Sequence, residues 1–395
     1  MKISKSIIAL VAMTSIVNPV MADRKKSASQ KVEGDLSVLV LGSGGPIAHQ
    51  EGRASAGYLI YTDENPRILM DVGGGTYQRL AKSGQNIKDL EIVLLSHLHA
   101  DHTGDLTSVM KSIYFHNNLA RGAAQQQGIT IPGRVNPINI WGPGATTLPA
   151  GPGITYPTGH PVYPSTEDYV HDHYSVGRNG VERYLTAFVL GISDDDGPAN
   201  IPGGGPGAPV SAFAYTANDL NSRFQNAGQE TVIDCAGNDA EKTYCAADTG
   251  LDDADKLFVT AIAVDHGPVP AVAYRIQYKG HTVVYSGDTG TKGGGHGLNN
   301  MINISQDADL LIYDTAVMEA GGPPGNPLFH LLHTQPSLIA NVAINADVDK
   351  LVLSHLTPVT SPRVDEIKKI IRGTGYSGKI KAAKDLKVYN LGDDD

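Results

Sequence analysis

Six consecutive residues, His97-Leu98-His99-Ala100-Asp101-His102, carry four side chains able to bind a metal ion. Imidazole nitrogens and a carboxylate are the donors that borderline divalent ions such as zinc take. The apolar run Ile92-Val93-Leu94-Leu95 precedes them and Thr103-Gly104-Asp105-Leu106 follows. The motif is therefore expected where a strand ends and a helix begins. A surface loop can carry two histidines by chance; a strand-terminal HxHxDH asks for a metal.

The same strand-end rule finds three further donors. His266, in Val264-Asp265-His266-Gly267-Pro268, follows the apolar stretch Leu257 to Ile262. Asp288 lies just past Val283-Val284-Tyr285-Ser286-Gly287, and His355 ends Val352-Leu353-Ser354. Taken singly, a lone histidine is usually structural and an Asp after Ser-Gly is often a turn former. Together, at strand ends where sites on sheet scaffolds tend to lie, they read as ligands. His160, His171 and His173 form another cluster, read either as a pocket-covering loop or as solvent-facing side chains. Gly42 to Pro46 lacks the Lys-Ser/Thr ending of a phosphate loop and reads as a turn that lets backbone approach the site.

Strands and helices that could position these residues alternate outside one irregular stretch. Strands are expected at Ser37–Leu41, Gly57–Tyr61, Arg67–Asp71, Glu91–Leu95, Thr282–Tyr285, Asp309–Tyr313 and Lys350–Leu353. Helices are expected at Gln335–Ile344 and Arg363–Ile371. Leu94-Leu95-Ser96-His97 and Val352-Leu353-Ser354-His355 are near-copies, which suggests two similar halves: two facing sheets with helices outside. Between about 146 and 255 the chain is rich in Gly, Pro and Asp and is set apart as an insertion; Asp194 to Pro209 within it can be neither helix nor strand.

The motifs Leu41-Gly42-Ser43-Gly44-Gly45-Pro46, Asp71-Val72-Gly73, HxHxDH, His266, Tyr285-Ser286-Gly287-Asp288-Thr289 and Ser354-His355 resemble those of the metallo-β-lactamase superfamily. Within it the likeness is to the branch of ribonuclease Z and the secreted arylsulfatases. It covers Ser37 to about Ile140 and Lys256 to the end. The resemblance implies an α/β fold, the αββα sandwich, with the site at one edge of the two sheets. It implies that His97, His99 and His266 hold one ion, that Asp101, His102 and His355 hold the other, and that Asp288 bridges both. The cofactors would be two divalent ions, zinc ahead of iron or manganese, since His/Asp ligands accept all three. Two such ions about 3.5–4 Å apart share a water and lower its pKa toward neutrality. Asp101 would bind metal and orient that nucleophile. In the ribonuclease Z-like proteins a histidine precedes the helix before the last metal ligand, and a carboxylate after a strand supports it. Here His333 takes that place as the candidate to assist catalysis, with His330 as a rival, and Asp314 stands where those enzymes usually carry Glu. Capping of the following helix is the alternative role for His333.

The N-terminus bears on location. Met1 to Lys5 is short and basic, Ile7 to Val20 is mostly apolar, and Val20-Met21-Ala22 ends in small residues. That pattern predicts a signal peptide over residues 1–22, an uncleaved anchor being the alternative, and a periplasmic or secreted mature chain from 23 to 395. In an oxidising compartment Cys235 and Cys245 favour a bridge over two free thiols. Formal charge is −10 over the full chain, and cleavage would remove Lys2 and Lys5. An acidic exported protein argues against nucleic acid as a partner and for a small ester. The reading is an exported hydrolase of sulfate or phosphate esters, arylsulfatase-like ahead of phosphodiesterase. A lactonase and a non-catalytic metal-binding protein stand as alternatives, and a bridging Asp288 argues against β-lactam cleavage.

Overall fold

The computed structural model describes residues 31–85, 87, 90, 92–113, 138–145, 163–174, 215–222, 230–233, 252, 255–290, 296–322 and 327–392. Two seven-stranded sheets face each other. The first runs β14-β1-β2-β3-β4-β5-β6, from β1 (Leu36–Gly42), β2 (Gly57–Thr62), β3 (Asn65–Val72), β4 (Ile92–Leu94), β5 (Ile138–Pro143), β6 (Tyr215–Leu220) and β14 (Val388–Leu391). The second runs β13-β12-β11-β10-β9-β8-β7, from β7 (Thr231–Val232), β8 (Phe258–Val264), β9 (Ala271–Tyr278), β10 (His281–Tyr285), β11 (Leu310–Asp314), β12 (Lys350–Ser354) and β13 (Lys379–Ala382).

The side chains explain why the layers number four. In β1 every residue is buried, the mark of a strand covered on both faces. Val38 and Val40 join Tyr58, Ile60 and Met70 in the core between the sheets, meeting Val272, Tyr274, Val283 and Ile312. Their neighbours Leu39 and Leu41 point the other way, against Leu80, Leu106 and Val109 of the outer helices. The second sheet repeats this: Val284, Leu311 and Leu353 pack outward on Ile339, Val342 and Ile367. These three belong to the helices Pro336–Asn345 and Val364–Gly373, at the places the sequence periodicity indicates. The expected αββα sandwich is what forms.

Each sheet has three antiparallel pairings followed by three parallel ones, so the halves repeat strand for strand. By sheet position β4 matches β11 and β5 matches β12. The Ser-His copies at Ser96-His97 and Ser354-His355 therefore sit one strand out of step. They signal two alike halves, as expected, without being equivalent positions in them. The stretch set apart as an insertion supplies an edge strand to each sheet, β6 and β7, and the helix Thr166–Tyr174. Residues 1–22, Cys235, Cys245, His160 and Asp194–Pro209 lie outside the described residues. No described helix is long and apolar enough to cross a membrane.

Candidate metal centre

All seven sequence-predicted ligands converge at one edge of the sandwich. His97 follows β4, and the short helix Ala100–Thr103 begins at once after His99, bringing Asp101 and His102 back over the strand end. Backbone bonds from His102 and Thr103 N–H to the His99 carbonyl, at 2.9 and 3.1 Å, fix that turn. His266, Asp288 and His355 arrive past β8, β10 and β12 of the facing sheet. His97, His99 and His266 form one group and Asp101, His102, Asp288 and His355 a second, each with donor atoms within 4.8 Å of one another.

The donor geometry fits metal ions. His97 Nε2 lies 2.9 Å from His99 Nδ1, and His266 Nε2 lies 3.4 Å from that same atom. In the second group His102 Nε2 and His355 Nε2 are 3.3 Å apart. Nitrogens bound tetrahedrally to one zinc at about 2.0–2.1 Å sit about 3.3 Å apart. Asp288 straddles the two groups. Its Oδ2 faces His97 and His266 at 3.8 and 4.0 Å, and its Oδ1 faces His355 and His102 at 3.2 and 3.3 Å. Oδ1 is buried without a hydrogen-bond partner. A buried carboxylate oxygen left that way is costly unless a cation meets it.

Charge follows the same division. Burial drives the His97 imidazole well below its ordinary pKa, takes His266 down to about 4 and lowers His99, so this trio favours neutral, ligating rings. At His102 and His355 burial pulls the same way but carboxylates outweigh it. Asp288, Asp71 and Asp101 hold His102 well above its usual range, and Asp288 with Asp101 and Asp314 lifts His355 to about 10. Burial opposes ionisation of Asp288, yet His355 and His102 keep it well below the normal carboxylate range. The same two imidazoles act on Asp101 against its burial. This cluster of carboxylates draws positive charge, and bound cations would take that part.

A second ring of side chains orients the candidate ligands. Asp71 Oδ2 lies 2.6 Å from His102 Nδ1; Asp71 also accepts bonds from Ser96 N–H, Ser96 Oγ and the Tyr285 hydroxyl at 2.6–2.7 Å. His266 Nδ1 lies 3.0 Å from the Leu332 carbonyl, leaving Nε2 to the site. Asp71 and His355 both hold left-handed backbone, φ 50° and 54°, conformations uncommon for non-glycine residues and concentrated at functional sites. The motif Asp71-Val72-Gly73 stands out in the sequence, but nothing there gives Asp71 this task. The signal was present all the same: a buried Asp at a strand end, beside glycine, in the same place in its half as Asp288 in the other.

His333 and Asp314 meet as expected, with Nδ1 to Oδ2 at 2.6 Å. The His333 ring lies 5.5 Å from those of both His266 and His355. It is the helix N-cap Gln335, not His333, that precedes Pro336–Asn345, and no side chain caps that end. The rival His330 turns away to the Gly322 carbonyl at 3.4 Å. Asp314 does more than anticipated, since its Oδ1 lies 3.2 Å from His355 Nδ1. The Gly42–Pro46 turn is structural, as expected: a Cβ on Gly45 would stand 2.9 Å from the His355 ring. Among the described residues His171 and His173 join no metal-binding group. Two positions apart on a helix they face different ways, His171 toward Glu167 and His173 toward the Tyr169 carbonyl. Their helix nonetheless borders a pocket of about 240 Å³ beside His99, walled by Leu98, Tyr163, Tyr169 and Val269.

The family model described as Anti-Pycsar protein Apyc1 matches residues 36–124. Ribonuclease Z of Mycobacterium bovis (strain BCG / Pasteur 1173P2) is 24% identical over 355 residues, 89% of this chain and 96% of the relative. Ribonuclease Z of Thermoplasma acidophilum is 23% identical over 337 residues, 82% and 86% of the two chains. Among solved structures, the short form of human tRNase Z superposes with a TM-score of 0.52 at 17% identity, covering 89% of this chain and 98% of its own. The metallo-β-lactamase fold protein YhfI of Bacillus subtilis does so with 0.51 at 17% identity, covering 90% and 99%. These similarities overturn one expectation. Net charge argued against nucleic acid as a partner, yet the relatives aligned along most of the chain are ribonucleases by name. A whole-chain charge says nothing of where the charges stand. Two facing sheets of this order and these structural likenesses give the chain the metallo-β-lactamase fold, with a His/Asp cluster suited to metal ions at the sheets' edge.

Proposed function

We propose that this chain hydrolyses phosphoric esters, phosphodiesters foremost, with two divalent ions, most suitably zinc, held by His97, His99 and His266 on one side, Asp101, His102 and His355 on the other, and Asp288 between them. The observation that carries the reading is Asp288, one buried carboxylate whose two oxygens face two separate donor sets. When bound, such a pair supplies an acidified water and Lewis-acid stabilisation of charge on the phosphoryl oxygens. The chain's own residues supply the rest. Asp101, partly open to the site, accepts a hydrogen bond from the attacking water and orients it. His333 is held at Nδ1 by Asp314, which leaves Nε2 to hand a proton to the departing oxygen. The pocket of Leu98, Tyr163, Tyr169 and Val269 beside His99 receives the organic part of the ester. The N-terminal pattern supports action outside the cytoplasm.

Phosphate stands ahead of sulfate because the relatives that align along the chain are named for cleaving RNA, a phosphodiester. Steady-state turnover of metal-replete protein on an aryl phosphodiester, an aryl phosphate monoester, an aryl sulfate and a lactone tests the proposal. The diester should have the highest kcat/KM. A sulfate ester or lactone turned over faster would overturn it.

A further inference from the structure

The two edge strands β13 and β14, one from each sheet, flank an open groove of about 810 Å³ on the side of the sandwich where the chain crosses between sheets. Six lysines line it: Lys350, Lys368, Lys379, Lys381, Lys384 and Lys387. That is six of the 31 basic residues of a chain whose formal charge is −10, so the clustering runs against the overall balance. No carboxylate is among the described residues lining the groove. Lys350 and Lys379 are register partners on the adjacent strands β12 and β13, and Lys368 stands beside them, paired to Asp365 at 3.5 Å outside the groove lining. Lys379 and Lys381 share one face of β13 about 6.6 Å apart, two strand residues on.

Edge strands often carry lysine to discourage pairing with another chain. That accounts for Lys379 and Lys381. It does not account for Lys384 and Lys387, which stand past β13, or for Lys350 and Lys368 on the neighbouring strand and helix. The Lys384–Lys387 loop is also tied toward the metal centre. Asp385 accepts hydrogen bonds from Ser43 Oγ, Ala54 N–H and Arg79 Nε at 2.8–2.9 Å, and the Ser43 loop carries Gly45 against His355.

We infer that the lysine groove between β13 and β14 is a binding site for the phosphodiester backbone of a single-stranded nucleic acid. A concave groove lined by six lysines suits a linear polyanion better than a flat lipid surface. The base-stacking element is small: Tyr389, with Lys387 over its ring at 5.9 Å, is mostly buried, so affinity should come from phosphate and be indifferent to sequence.

The full chain would be titrated by fluorescence anisotropy with a labelled oligoribonucleotide of about 20 nucleotides, its DNA counterpart and a neutral methylphosphonate analogue. Binding should appear with the charged strands, weaken linearly in log salt, and be absent with the neutral one. K379Q/K381Q/K384Q/K387Q should weaken it at least tenfold, and the salt slope should flatten by about 0.7 for every phosphate no longer neutralised. The double variants K379Q/K381Q and K384Q/K387Q should each show part of the loss, and the matching Lys→Arg variants should restore it. Turnover of a small aryl ester should not change in any of them. Equal affinity for the neutral analogue, unchanged affinity in the quadruple variant, or binding to phosphatidylserine vesicles without binding to oligonucleotide would overturn the inference. So would a quadruple variant that keeps its affinity and self-associates, the result expected of an edge guard alone.

Discussion

One carboxylate, Asp314, holds two imidazoles: Oδ2 meets His333 and Oδ1 meets His355. The tasks proposed for the two neighbours differ, and substitutions separate them. His333→Ala should retain both metals and slow turnover by roughly 10²–10⁴-fold, the usual worth of a positioned acid. The loss should grow with the basicity of the leaving group across a series of aryl esters. An equal loss for every ester would return His333 to a structural role. Asp314→Asn should reach further, since the same side chain orients a ligand. Losing such a partner typically weakens metal binding by about 10–100-fold. Metal analysis after dialysis reads that directly, and full occupancy in Asp314→Asn would show that His355 does not depend on it. Asp288→Ala should empty both positions, because its two oxygens serve two donor sets. Two metals per chain in that variant would rule out the bridge.

The elements hold these side chains by close backbone approach as much as by side-chain contact. A Cβ on Gly73, just past β3, would stand 2.0 Å from the Asp101 carbonyl oxygen and 2.7 Å from Ser55 Cβ. Gly73→Ala must therefore displace the short helix that carries Asp101 and His102. Its cost should be in the range of overpacking, about 1–3 kcal/mol, with metal affinity falling alongside. Thermal unfolding in excess chelator and metal titration measure the two parts, and an unchanged affinity would show that the helix can yield. At this scale the sequence was readable wherever an apolar run ended in a donor. The strands leading to His97, Asp288, Asp314 and His355 stand where β-branched and leucine-rich runs place them. It was silent where the signal is tertiary. β13, Lys-Ile-Lys-Ala, alternates over only four residues, and β6 and β7 lie in a glycine- and proline-rich stretch whose composition hides them. The pairing of Asp71 with His102 spans 31 residues and has no periodic trace at all.

At the scale of the molecule, one site draws on both halves. His97, His99, Asp101 and His102 come from the first sheet, and His266, Asp288 and His355 from the second. Ions bound there cross-link the sandwich and should raise its unfolding temperature by mass action. Treatment with a chelator should lower Tm, and readdition of zinc should restore it in proportion to free metal. A Tm indifferent to chelation would mean that the sheets hold without the ions. The proposed processing belongs here too: cleavage after Ala22 would give a chain starting at Asp23. N-terminal sequencing of protein from the cell envelope checks it, and an intact Met1 in a membrane fraction would count against it.

The pairing of β14 with β1 joins Leu391 to Leu36, nearly the whole length of the chain apart. A ribosome releases β1 about 350 residues before β14, so the first sheet cannot seal that edge until β14 has followed. Contacts of such long range are slow to form and leave an open strand exposed in the meantime. A cytoplasmic chain would meet that interval as a hazard. For one threaded unfolded through a membrane channel it is an advantage, because the nascent polypeptide cannot lock into its native shape before it has crossed.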